Sequence, residues 1–376
     1  MSRILIITGE ASGDLHGAHL AKAIAARDPS VELVGIGGAY MRAAGVAMIP
    51  GIPQVDVMGL IGLSAVRVLI RRVLAIRRVL KADAWDLVVL IDNPGLNFHF
   101  ARVAKAAGRR VVYYIAPQLW AWRPGRMKWI QQRVDHVVVI LPFEEDLYRR
   151  AGVRCTFVGH PLLDSVAPHY DRAALRAKYN LDAAAPVVGL LPGSRVAEVS
   201  MLVPLLLETA RRLAASNPKT QLILAQASSI DDHLLHSLLR ESPVPVSVAK
   251  DQASEVMAAS DVLLVASGTA TLQAAVVGTP MVLLYKTTWP TYWIARLLVM
   301  VKWIGLVNLV AGRSIVPELI QDEATAERLC QEVRRLLTDQ RAYHDMKDGL
   351  RQVRESLGEP GASRRAAEVV LAECRV

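Results

Sequence analysis

Pro186-Val187-Val188-Gly189-Leu190-Leu191-Pro192-Gly193-Ser194-Arg195 is an apolar run that closes on a turn of small residues. A helical pattern follows over Leu202–Ala215. The chain opens in the same way. Ile4–Thr8 is apolar, Gly9-Glu10-Ala11-Ser12-Gly13-Asp14 is a small-residue turn, and Ala18–Ala26 reads as helix. Further apolar runs at Val31–Ile36, Leu87–Ile91, Arg110–Ile115, His136–Leu141 and Cys155–Val158 fall before Pro186. Gln221–Ala225, Val246–Val248, Val262–Val265 and Pro280–Leu284 fall after it. Continuous β-branched strands separated by helices predict a parallel sheet covered on both faces. Because the pattern restarts at Pro186, the expected fold is α/β, with two Rossmann-like doubly wound domains in tandem. The expected domains are 1–165 and 170–345, with a linker in Pro161–Asp182 where strand signals lapse. A helical segment, 346–376, ends the chain, and a return to the first domain is one option for it. Facing domains of this kind make a central cleft at the carboxyl ends of both sheets, so the loops after the strands should hold the chemistry.

Composition agrees with this division. At roughly 150 residues per domain, 376 residues suit two or three domains. With 52% hydrophobic and 21% charged residues the chain is not of the disordered class. Three widely spaced cysteines (Cys155, Cys330, Cys374) form neither a disulfide framework nor a Cys-rich zinc site, which suits a reducing compartment. The apolar N-terminal run is too short for a secretory signal, and no run of about 18 apolar residues predicts a spanning helix. The excess of 44 Lys+Arg over 35 Asp+Glu, a net charge of +9, points to an anionic partner. Aromatics at 5% and the lack of a long basic tract weigh against nucleic acid.

Several loops are candidates for the chemistry. The Gly9–Gly17 loop has glycines spaced G-x3-G-x3-G, not the dinucleotide spacing, yet it offers amides and a helix N-terminus to an anion. Ser12 and Asp14 in it read equally as helix caps. Asp92, in Ile91-Asp92-Asn93-Pro94-Gly95, ends an apolar strand and could take a proton from a hydroxyl nucleophile, although the cluster also reads as an ordinary turn. Trp120, Trp122 and Arg123 could form a sugar or acyl platform, or pack a loop onto the core. Gly193, Ser194 and Arg195 suit a phosphate, and Ser267, Gly268 and Thr269 repeat the arrangement at the start of a second helix. Two such turns in one domain suit a diphosphate. No D-x-D pair is present for a metal–diphosphate bridge, and His16 with His19 is a poor zinc signal, so the expected site has no metal and no cofactor.

Val57–Ala82 holds six basic residues and no acidic one. On a helical wheel five of the six, Arg67, Arg71 and Arg78 among them, share one arc with Ile70 and Leu74, while Arg72 falls outside it. Leu69, Val73, Ile76 and Leu80 take the opposite face. Apolar side chains among arginines suit a helix lying on an anionic lipid surface, though a solvated helix is the plainer alternative. Trp289–Val310 is a second candidate, either a buried helix pair or an interfacial patch.

The loops Gly9–Asp14, Pro117–Arg123, Leu141-Pro142-Phe143-Glu144, Val158-Gly159-His160-Pro161, Leu191–Arg195, Ala266–Ala270 and Asn308–Arg313 occur in this order. With them the chain resembles the lipid A disaccharide synthases over essentially its whole length. The Leu191–Arg195 and Ala266–Ala270 loops resemble those of GT-B glycosyltransferases more widely. The resemblance implies an inverting hexosyltransferase of lipid A, and hence lipopolysaccharide, biosynthesis. Such an enzyme joins UDP-2,3-diacylglucosamine to 2,3-diacylglucosamine 1-phosphate (lipid X) through a β(1→6) link and releases UDP. It would sit in the cytoplasm, peripheral on the inner face of the inner membrane. The resemblance further implies Asp92 as the essential carboxylate, with Arg195 and Asn308 at the donor site. His16 is a second choice of base. Ser12, Gly13, Asp14, Trp120, Trp122 and Arg123 are expected at the acceptor. Gln273 stands where related enzymes often hold the donor ribose with Glu, and Leu96 stands where some members carry Asp. The rival readings are another UDP-sugar transferase, a UDP-sugar epimerase, or a non-catalytic sugar-nucleotide or lipid-binding protein. The oligomeric state stays open, a homodimer among the options.

Overall fold

The structure, a computed structural model, describes residues 2–52, 63–82, 85–119, 125, 127–240, 242, 244–298 and 301–375. The chain divides into two compact units. One is Met1–Asp164 with Leu357–Val376; the other is Ser165–Ser356.

The first unit is built on a parallel sheet of seven strands: β1 (Arg3–Thr8), β2 (Glu32–Ile36), β3 (Ala47–Met48), β4 (Leu87–Ile91), β5 (Arg110–Tyr114), β6 (His136–Val139) and β7 (Cys155–Phe157). Their spatial order is β3-β2-β1-β4-β5-β6-β7. All five residues of β4 are fully buried, and successive side chains enter different cores. Val88 and Leu90 join Ile76, Leu80, Phe100 and Tyr148 on one face. Leu87, Val89 and Ile91 join Ile24 and the C-terminal residues Ala366, Val370 and Leu371 on the other. Both faces are therefore dry, which is why this strand reads as unbroken apolar sequence. Each such buried aliphatic side chain contributes about 1.5–3 kcal/mol.

The second unit repeats the plan with β8 (Val187–Leu191), β9 (Gln221–Gln226), β10 (Val246–Lys250), β11 (Val262–Ala266), β12 (Met281–Tyr285) and β13 (Glu318–Ile320). They are parallel and ordered β10-β9-β8-β11-β12-β13. The short edge strands β3 and β13 were not among the expected ones.

The segment 346–376 is shared out between the units. The helix Gln340–Ser356 belongs to the second unit, and the helix Ala362–Cys374 belongs to the first. The latter returns because its apolar stripe completes one face of the first sheet. Its start is held by Asp164, whose carboxylate accepts from the amides of Gly361 and Ala362. Near its end Glu373, 2% exposed, accepts from Arg110, Arg154 and His136.

Candidate functional site

In a doubly wound sheet ligands bind where the strand order reverses. In the first sheet that point lies between β1 and β4, paired up to Thr8↔Ile91. The next residues are Gly9 and Asp92, so two of the expected loops meet there. A Cβ on Gly9 would lie 1.8 Å from Asn93 Nδ2, so this close approach requires glycine. Asp92 and Asn93 both take positive φ, 50° and 44°. Non-glycine residues in this region carry strain of about 1–3 kcal/mol each and cluster at functional sites. Here the surroundings impose it. The Asp92 carbonyl accepts from Asn97 Nδ2 (2.6 Å) and Tyr113 OH (2.8 Å), and Asn93 Oδ1 caps the next helix, Pro94–Ala106, at Leu96 N. The contacts from Asn97 and Tyr113 use the Asp92 carbonyl and not its carboxyl. Burial raises its pKa, partly opposed by the Asn93 amide. Sequence reading passed over Asn97 and Tyr113, because their part is visible only once the turn is folded.

The other first-unit candidates fare differently. The helix Ala11–Arg27 begins earlier than expected, with Glu10 at its cap position. Ser12 is thus an exposed residue of its first turn, and Gly13 lies against Thr8 and the Ile91 carbonyl. Asp14 does not cap its own helix. It is buried, and its carboxylate accepts from the amides of Gly38, Tyr40 and Met41, holding the neighbouring helix Ala39–Ala43. His16 has a buried Nδ1 with no hydrogen-bond partner among the described residues, and its pKa is lowered to about 4 by burial and by His19. An imidazole so reluctant to accept a proton is a poorer base near neutrality than a carboxyl raised by burial. Trp120, Trp122 and Arg123 lie outside the described residues.

In the second sheet the reversal lies between β8 and β11, and here the structure has a cavity of about 430 Å3. Gly193, Ser194 and Arg195 line it from the end of β8, and Ser267, Gly268 and Thr269 from the end of β11. The two turns are adjacent because Val265 pairs with Leu191. Gly193 (φ 101°) and Gly268 (φ 148°) take conformations that other residues rarely adopt. Helices start at Val196 and Thr269, so both N-termini present unpaired amides. Glu198, Gln226 and Asp251 also line the cavity and were not anticipated. Arg195 is mostly exposed, and its Nη1 meets Glu198 Oε1 at 2.7 Å. The i, i+3 spacing of Arg195 and Glu198 was a signal for that pair. Nothing in the sequence marked Gln226 and Asp251 beyond their position at strand ends.

Two expected donor residues stand back from the cavity. Gln273 donates to Ser254 Oγ at 2.7 Å and is not a lining residue. Asn308 is fully buried, with its amide shared among Val316 O, Glu318 Oε1, Ile315 N and Val316 N. Glu318 in turn accepts from the amides of Ile304 and Gly305, and the Ile304 carbonyl accepts from Ser267 Oγ. Asn308 thus connects to the Ser267 turn through a chain of hydrogen bonds.

The helix Leu63–Ala82 shows the expected faces. Ile76 and Leu80 are fully buried, while Arg67, Arg71 and Arg78 are exposed. Ile70 is 53% and Leu74 45% exposed. Arg72 turns inward and donates to the Thr8 carbonyl at 3.2 Å. Residues 57–62 of the expected stretch lie outside the described residues. Among the described residues no helix is long and apolar enough to cross a membrane.

Among solved structures the chain resembles a UDP-bound MnaA from S. aureus, with a TM-score of 0.65 and 14% identity over 97% of this chain and 95% of the other. It also resembles UDP-GlcNAc 2-epimerase from Neisseria meningitidis bound to UDP-GlcNAc, with a TM-score of 0.66 and 12% identity over 98% and 100%. At such identities the likeness is one of fold, that of GT-B glycosyltransferases and epimerases. Sequence relatives are much nearer. Lipid-A-disaccharide synthase of Geobacter metallireducens is 44% identical over 370 residues, 98% of this chain and 96% of that protein. The Myxococcus xanthus protein of the same name is 42% identical over 373 residues, 98% and 97%. The family model described as lipid-A-disaccharide synthetase matches residues 4–372. With both candidate sites inside that match, the chain belongs to the lipid-A-disaccharide synthase family.

Proposed function

We propose that the chain transfers a diacylglucosamine unit from UDP-2,3-diacylglucosamine to the 6-hydroxyl of 2,3-diacylglucosamine 1-phosphate, with inversion and release of UDP. The observation that carries this is the pair of glycine turns opening on one cavity at the reversal point of the second sheet. The donor diphosphate would lie across Gly193–Arg195 and Ser267–Thr269. The acceptor sugar would meet Ser12, Gly13 and Asp92. Asp92 takes the proton of the acceptor hydroxyl as that oxygen bonds to the donor anomeric carbon. The bond from that carbon to the diphosphate oxygen breaks, and UDP leaves with the electron pair. Its growing charge is met by Arg195 and by the amides of the two helix starts. One such preorganised donor is worth about 2.7–4 kcal/mol of barrier. Asp14 and Asn308 act as positioning residues, since their polar atoms are taken by main chain and Glu318. The exposed face of Leu63–Ala82 would rest on the anionic inner face of the inner membrane, where both acylated substrates reside.

The test is a UDP-release assay with the two diacyl sugars. Asp92→Asn preserves the main-chain contacts of the turn and removes the base. We expect turnover to fall by roughly 10²–10⁴-fold with UDP affinity unchanged. In the wild type, activity should rise with pH through a limb displaced above the usual carboxylate range, because burial raises the Asp92 pKa. Near-normal turnover by Asp92→Asn would remove Asp92 from this role.

A further inference from the structure

We propose that the helix Trp289–Leu298 is a shelf for the acyl chains of the sugar donor. The inference rests on the reading of the second-unit cavity as a UDP-sugar site. β12 lies beside β11, and the two run parallel, so both end at the same edge of the sheet. The Ser267 amide donates to Leu284 O, next to the end of β12, and Ser267 Oγ donates to Ile304 O. The excursion from Lys286 to Ile304 is therefore rooted at both ends on the turn that would hold the diphosphate. Trp289 is five residues beyond Leu284, within about 18 Å even if the chain were fully extended.

What this excursion presents is unusual for a protein surface. Trp289 is 48% and Trp293 56% exposed, and their rings stack at 6.5 Å with a 29° tilt. Tyr292 packs edge-on to both, at 5.7 Å, and its hydroxyl accepts from Arg296 at 2.9 Å. No acidic residue occurs from Lys286 to Arg313. Contiguous exposed apolar surface of this kind marks an interaction site. Two large, rigid aromatic side chains, each about half exposed, offer apolar area at little cost in side-chain entropy, which suits an alkyl chain. The diphosphate end of the donor is polar and held by amides; its fatty end needs such a strip nearby.

The experiment compares wild type, Trp289→Ser/Trp293→Ser and Trp289→Phe/Trp293→Phe in detergent micelles. Three quantities are measured: the Kd for UDP, the KM for UDP-2,3-diacylglucosamine, and the KM for a short-chain acyl analogue. In the Ser variant we expect an unchanged UDP Kd, which also reports that the unit is folded, and a KM for the long-chain donor raised about tenfold. Discrimination between long and short chains should collapse, and Phe should restore most of both. An unchanged donor KM and chain-length preference in the Ser variant would overturn the shelf. So would the same kinetics accompanied by lost recovery on phosphatidylglycerol vesicles, or by a change in mass by light scattering. Those outcomes assign the indoles to the bilayer or to a second copy of the chain. A wild type that binds no UDP would remove the donor reading itself, a separate failure from that of the shelf.

Discussion

Asp92 and His16 show how folding alters the meaning of a residue. Asp92 directly follows β4, His16 lies in the helix after β1, and both can exchange protons. Burial acts on them in opposite directions, raising the carboxyl and lowering the imidazole. His160 behaves like His16, with a pKa of about 4 set by burial and then by His16 itself. A pH dependence of stability follows. An unfolded imidazole titrates near 6.5, so between pH 6.5 and 4 the unfolded chain binds protons that the folded chain refuses. The stability is complete above 6.5 and is lost as pH falls through that window. We expect urea midpoints to drop from pH 6.5 to 5, with a slope of up to about 1.4 kcal/mol per pH unit per histidine. His160→Gln should flatten that slope; an unaltered slope in the variant would show that the histidines are not its source.

At the scale of elements, the C-terminal helix Ala362–Cys374 is the clearest case of sequence and fold informing each other. Its pattern marks it as amphipathic, yet only the sheet shows what its stripe covers. Val370 and Ala366 fill the face that also holds Ile4 and Val89. Glu373 fixes its far end through Arg110, Arg154 and His136. Removing one member of a buried charge cluster leaves the others unpaired, at a cost of 3–5 kcal/mol in fully buried cases. Arg154 is largely exposed and can turn to water, so Glu373→Ala should cost nearer ~3 kcal/mol. Thermal unfolding of the variant measures this, and a change within error would show that the helix is held by its apolar stripe alone.

For the molecule as a whole, the net charge of +9 and the high apolar content meet on the helix Leu63–Ala82. Its outward face combines Arg67, Arg71 and Arg78 with the exposed Ile70 and Leu74. Contact with an anionic surface is worth about 1 kcal/mol per basic residue and fades with salt. Replacing the three arginines by Glu should cut recovery on phosphatidylglycerol vesicles by tenfold or more at low salt, leaving UDP binding intact. Equal recovery by wild type and variant in a sedimentation assay would count against this face. The division into Met1–Asp164 with Leu357–Val376, and Ser165–Ser356, means that the chain passes twice between its units. Only the second unit is continuous in sequence.

The two parallel sheets were legible in the sequence because strands buried on both faces must be apolar at every position, and runs such as Leu87–Ile91 and Val262–Val265 are. The glycine turns after β8 and β11 were legible for a related reason: positive φ and close approach tolerate few other residues. Tertiary structure alone revealed which polar groups are free. Asp14 and Asn308 look like site residues in the sequence, but their partners, Gly38 and Val316 among them, come from other segments and take up their hydrogen-bonding capacity. Hydrogen bonding and burial depend on what the chain brings near from a distance, and no local pattern encodes that.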